Sequence, residues 1–229
     1  MKRLWRRRSL DRCGAAIDKV SEYAHLAAKV RFRETGCQRL RPVPVPRETL
    51  APVFAALFRR RERRAAAFAA YGRIVERSRD PAFYGSWGVP DTLDGRFEVL
   101  ALHAFLVFNR LKREPGDAAA FAQELFDTMF ADLDGALREM GAGDLGVGRR
   151  VKAMARGLYG RIAAYERGLA DEAAMVAALR RNLFGTATPG EAQLAALSAY
   201  AQRQAAALAA QPAAALLAGV VAFAPLEVR

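Results

Sequence analysis

The chain is poor in the residues from which most chemical sites are built. Of its 229 residues only two are Cys and two are His. Cys13 and Cys37 lie far upstream and lack CxxC spacing, so they cannot staple a core, and their scarcity fits a reducing compartment. β-Branched residues are sparse and no segment alternates in polarity, which argues against a sheet-based fold. No run of about 18 apolar residues occurs, so no membrane-spanning helix is predicted. The opening MKRLWRRRSL has the charge of a targeting segment, but no apolar stretch of a secretory signal follows it. Asp11, Asp18 and Glu22 interrupt it, unlike the acid-poor presequences of mitochondria.

What is present is helical material. Hydrophobic content is 52 %, carried largely by Ala and Leu, both good helix formers. The pattern predicts an all-α protein, a single helical-bundle domain with a basic N-terminal extension. Residues 1–80 hold 21 Lys/Arg against 8 Asp/Glu, a net +13 in a chain of net +12, so the remainder is close to neutral. Long-range attraction to nucleic acid, ribosome or anionic lipid therefore belongs to the first third. Residues 1–52 carry Pro42, Pro44, Pro46 and Pro52, the pattern of an extended linker, after a possible helix over Ser9–Arg33. Composition changes at Val53. The extension is read either as a disordered linker or as sequence upstream of the true start, and 53–229 as the folded domain.

Within that domain Phe54, Leu57, Phe58, Tyr71, Ile74 and Val75 are expected to form one apolar stripe of a first helix. PAFYGSWGVP, 81–90, is a loop. Asp91 or Thr92 caps a central helix to Lys112, and Asp117 caps the next, which ends at Met140 before a left-handed Gly141. Further helices are predicted over Val147–Leu169 and Glu172–Phe184. Another starts at a capping box of Thr188 and Glu191 and runs to about Ala210, and a short one opens at Pro212.

Charge is sorted by helix face. Glu124, Asp127 and Asp134 oppose the apolar side of the 117–140 helix. Arg149, Lys152, Arg156 and Arg167 oppose a narrow stripe of Val147, Val151, Met154, Leu158, Ile162, Tyr165 and Leu169. Such charges either solvate exposed faces or meet two different partners. Arg59, Arg60, Arg63 and Arg64, within RRRERR, are likewise a solvated face or an electrostatic contact for rRNA or lipid. Trp87 either plugs the bundle or presents its indole, with Tyr84, to a partner.

Enzyme signals do not assemble. GAGDLG at 141–146 matches GxGxxG in letters, but a helix precedes it where the dinucleotide fingerprint needs a strand. Asp144 is read as the cap of the following helix. His103 lies alone in an apolar helix and is read as a packed core histidine. No cofactor, metal or small-molecule substrate is expected.

The order LREMGAGDLG followed by VGRRVKAM and LYGRIAAY resembles the ubiquinol-cytochrome c chaperone family over roughly residues 73–169. The carrying residues are Leu137, Arg138, Glu139, Gly141, Gly143, Asp144, Gly148, Tyr159, Gly160, Arg161 and Tyr165, together with YGSWGVPDTLDGRFEVLALHAFLVFNRL at 84–111. The resemblance implies a non-enzymatic assembly chaperone of the cytochrome bc1 complex. It holds newly made cytochrome b, with the ribosome exit region as a further partner, and the sorted charge adds an anionic membrane surface as another. It also implies a place in the cytoplasm peripheral to the inner membrane, or in mitochondria for a eukaryotic chain. Tyr84, Trp87, Glu124, Asp127 and Asp134 are the candidate client contacts, and Arg59, Arg60, Arg63, Arg64, Arg149, Lys152 and Arg156 the candidate rRNA or lipid contacts. The alternative is a ribosome- or nucleic-acid-binding helical module acting through the basic first third.

Overall fold

The computed structural model describes residues 47–141, 144–185 and 187–227. The expected Ser9–Arg33 helix, both cysteines, three linker prolines and Gly143 lie outside these residues, as do the side chains of Phe54 and Asp144. The elements are α1 (Arg47–Ser78), a 3-10 turn at Pro81–Phe83, α2 (Leu93–Leu111), α3 (Ala118–Glu139), α4 (Asp144–Gly168), α5 (Glu172–Leu183), α6 (Glu191–Ala210) and α7 (Ala213–Leu217). Among the described residues the fold is all-α.

α2 is the hub. It is apolar on most faces and touches α1, α3, α4, α5 and α6. Leu102, Phe105, Leu106 and Val107 are fully buried, each such side chain contributing roughly 1.5–3 kcal/mol on removal from water. Its N-terminus is set by Thr92, whose Oγ1 accepts from the Gly95 amide at 3.1 Å. Asp91 instead pairs with Arg96, and this partner holds its carboxyl below the usual carboxylate range. Gly95 is required for space, since a Cβ there would meet the Pro90 carbonyl oxygen at 2.0 Å.

His103 sits in the middle of α2 with no exposure. Its Nδ1 lies 2.7 Å from the Val99 carbonyl, which can only accept, so Nδ1 carries the proton. Nε2 then accepts from the Tyr200 hydroxyl at 2.7 Å. The predicted core histidine is found, with both ring nitrogens hydrogen-bonded. Trp87 joins the same cluster, its ring 5.0 Å from Phe83 and 5.1 Å from Tyr200. It is 3 % exposed and braces the loop against the bundle.

The C-terminal segment after α7 is held by two glutamines that imitate a strand partner. Gln204 accepts from the Ala224 amide at 2.8 Å and donates to its carbonyl at 3.1 Å, and Gln211 makes the same pair with Ala222. Arg110 closes the C-terminal end of α6, donating to the carbonyls of Leu208 and Gln211 at 3.0 Å each. The Leu208 carbonyl also accepts from the Gln211 amide at 3.2 Å, and the guanidinium supplies the further donors that the last carbonyls of a helix lack.

Several sequence expectations require correction. The first helix does not carry one continuous apolar stripe: Tyr71 and Ile74 are buried, whereas Leu57 and Phe58 are 56 % and 62 % exposed. At about 100° per residue Phe58 falls well away from Tyr71 and Ile74, whereas Leu57 lies within about 40° of Tyr71 and is exposed nonetheless. α1 begins at Arg47, so Pro52 lies inside it and forgoes one backbone bond near the helix start. Asp117 occupies the N-cap position of α3 without a side-chain cap bond. The Thr188–Glu191 box does not form either. α6 starts after Gly190, whose amide donates to Gln193 Oε1 at 2.9 Å, and Glu191 pairs with Arg180. α4 starts at Asp144, three residues before Val147, which places Asp144 in the first turn. Gly141 has the expected positive φ, +82°.

Candidate functional site

The closing end of the residue signature meets the hub helix. Arg161 of α4 donates through Nε to Glu98 Oε2 at 2.5 Å and through Nη2 to Glu98 Oε1, while its guanidinium stands over the Phe97 ring. The Glu98 side chain is 7 % exposed and that of Arg161 24 %. The hydrogen bonds to Glu98 raise the Arg161 pKa. Gly157 makes room for this arrangement, because a Cβ there would lie 2.5 Å from Arg161 Nη1. One turn on, Tyr165 is buried against Phe105 at 5.5 Å. α4 is thereby fixed across α2.

Between the two helices lies a cleft of about 210 Å³ lined by Phe105, Phe108, Asn109, Lys112, Ile162 and Glu166. Its floor is aromatic. Its rim is the Lys112–Glu166 ion pair, at 2.5 Å. An aromatic ridge continues from it across α3, with Phe108 6.5 Å from Phe126, and Phe126 4.5 Å from Phe130 and 6.1 Å from Tyr159. Tyr159, stacked on Phe126, is 56 % exposed. A second cleft of about 200 Å³, lined by Arg73, Glu76, Arg77, Asp80 and Phe223, is mainly polar.

The predicted acidic face is partly occupied from within. Arg60 approaches Glu124 at 4.0 Å and Arg138 holds Asp134 at 2.6 Å. Asp132, absent from the sequence candidates, accepts from the Tyr71 hydroxyl at 2.7 Å. Asp127 is exposed beside Phe126 and accepts only from Gln123, at 2.8 Å, among the described residues. Tyr84 is half-buried and donates to the Ser78 carbonyl at 2.8 Å. Burial of Trp87 takes the plug reading and removes the indole from the surface. Arg59, Arg60 and Arg64 are exposed, whereas Arg63 is half-buried. Arg149, Lys152 and Arg156 are exposed on α4, and none is in an ion pair among the described residues.

The signature thus divides. Leu137, Arg161 and Tyr165 build the scaffold, Gly141 turns the chain, and Tyr159 reaches the surface. Arg138 and Glu139 end α3 on its exposed side, and Gly148 and Gly160 are exposed with open space around them. The sequence missed Phe108, Asn109, Lys112 and Glu166 as one site. Periodicity places each on its helix face but does not show which two helices cross there.

This is an all-α bundle with an apolar surface cleft bordered by charge. The chain belongs to the Ubiquinol-cytochrome C chaperone family, whose model matches residues 86–223. It is 27 % identical over 140 residues to the ubiquinol-cytochrome-c reductase complex assembly factor 1 of Xenopus laevis, covering 61 % of this chain and 70 % of that protein. It also resembles the crystal structure of the Cbp3 homologue from Brucella abortus, with TM-score 0.66 and 38 % identity over 75 % of this chain and 97 % of that one. Among the described residues no helix is long and apolar enough to cross a membrane.

Proposed function

We propose that this chain is an assembly chaperone of the ubiquinol-cytochrome c reductase complex and that its client is newly made cytochrome b. Family membership and the name of the frog relative support the assembly role. The observation that carries the client is the apolar cleft between α2 and α4 together with the Phe108–Phe126–Tyr159 ridge. A client made of long apolar helices needs such a surface before its own partners cover it, and a cleft bordered by charge accepts an apolar side chain without a fixed register. Asp127, next to the ridge, suits the basic loops between those helices. On this reading the contact surface is Phe108, Tyr159, Ile162 and Asp127, and the reaction is holding rather than chemistry.

The basic face of α4, Arg149, Lys152 and Arg156, supports a second contact with rRNA at the ribosome exit region, where a nascent client emerges. The client reading is tested in cells whose only copy carries Ile162→Asp or Tyr159→Asp. Normal thermal unfolding of the purified variants with reduced assembled complex on native gels is expected. Full assembly with both variants removes the cleft from the mechanism.

A further inference from the structure

The outer side of α1 departs from the usual amphipathic pattern. Its inner side carries Ala67, Ala70, Tyr71 and Ile74 into the core, so its outer side should be polar. Instead Leu57, Phe58 and Phe68 stand outward, 56 %, 62 % and 70 % exposed. At about 100° per residue Leu57 and Phe68 fall within about 20° of one another, with Phe58 about 100° round and Ala65 between. Arg61, exposed, rises within this stripe and exposed Arg64 borders it, whereas Arg60 turns toward Glu124, Arg59 lies about 100° beyond Phe58 and the exposed Glu62 stands nearer to Phe58. The stripe lies upstream of residues 86–223, which the family model matches.

We infer that Leu57, Phe58 and Phe68, with Arg61 and Arg64 among and beside them, seat the chain on a bilayer surface carrying anionic headgroups. An apolar helix face bordered by arginines lies in the interface plane, its aromatic and aliphatic side chains at the acyl boundary and its guanidinium groups among phosphates. Charge excludes the other occupants available to it. Two copies meeting through this face would oppose one arginine cluster to another. Residues 1–46, with twelve Lys/Arg against four Asp/Glu, would bring like charge onto it. An anionic surface meets both demands, covering apolar area and neutralising arginine. The placement deepens the lipid contact named for these arginines and is independent of the identity of the client.

Flotation of the purified full chain with phosphatidylcholine vesicles, with and without phosphatidylglycerol, tests it. Binding to the anionic vesicles is expected, weakening as salt rises. Replacing Leu57, Phe58 and Phe68 together by Ser is expected to lower the affinity at least about ten-fold while thermal unfolding is unchanged. Phe68→Glu alone, with a several-fold loss, serves if the triple variant fails to fold. Unaltered binding by the serine variant overturns the proposal, because the contact is then purely electrostatic. A wild-type dimer that the variant abolishes gives the face to a second copy and overturns it too. Binding to single-stranded RNA but not to vesicles, lost in the variant, has the same consequence. No client is present, so failure here leaves the chaperone reading untouched, and loss of that reading leaves this result standing.

Discussion

Arg161 and Glu98 share two hydrogen bonds across the α2–α4 crossing, and the carboxylate is the more deeply buried partner. Removing one member of a buried pair leaves the other unpaired, at a cost of roughly 3–5 kcal/mol where both are buried. The unequal exposure predicts an order. Arg161→Ala, which strands Glu98, should destabilise more than Glu98→Ala, which leaves a guanidinium that water already reaches. Arg161→Lys should recover only part of the loss, since an ammonium lacks the fork. Urea unfolding of the three variants checks the order, and the reverse would show that the unpaired guanidinium is the costlier group to leave at this crossing.

His103 makes stability depend on pH. Burial lowers its pKa from 6.5 to about 4. Because the folded pKa lies below the unfolded one, the unfolded chain binds more protons between these values, and stability is complete above about pH 6.5 and lost as pH falls toward 4. A shift of that size corresponds to about 3 kcal/mol at most. Unfolding free energies measured at intervals from pH 7.5 to pH 4.5 should show this fall and a shallower one in His103→Gln. Equal slopes would assign the pH dependence to carboxylates elsewhere.

The glutamine clamps predict local loosening. Gln204→Leu leaves the Ala224 amide and carbonyl unpaired and should cost about 1–3 kcal/mol, with faster hydrogen exchange at Ala224. Gln211, half-exposed, should show the smaller effect at Ala222. Exchange measured by NMR distinguishes them, and protection unchanged in both variants would show that packing of Phe223 holds the segment.

The 141–148 link separates scaffold from surface. Gly141→Val puts a β-branched residue at φ +82° and should cost about 1–2 kcal/mol. Asp144→Asn removes a charge from the first turn of α4 and should cost well under about 1 kcal/mol. A folded Asp144→Asn protein that fails in complex assembly would add this turn to the client surface.

The fold was legible where periodicity and punctuation agree. α2 was readable as central because apolar residues surround it, and Gly141 because a helix had to stop before the next began. The capping errors have one physical source. Thr188 and Asp117 are both chemically able to cap, but which residue does so depends on the path of the incoming chain, which Gly190 and Gln193 decide for α6. The candidate site was less legible. Tyr159 and Arg161 stand two apart in the same signature, yet one reaches solvent and the other a buried carboxylate. Only the crossing of α4 over α2 makes that distinction, and no residue near either position encodes it locally. Leu57 and Phe58 illustrate a related limit: periodicity names an apolar face, but which stretch of α1 the neighbouring helices cover depends on how they pack, and both residues stand exposed.

The most direct test of the chaperone account is capture of the tagged full-length chain from respiring cells, with mass spectrometry of what accompanies it. Cytochrome b should be the principal partner, insensitive to RNase and depleted by Ile162→Asp without loss of the chaperone itself. Ribosomal proteins that leave with RNase, and no cytochrome b, would contradict the account and make the basic first third of the chain its functional part.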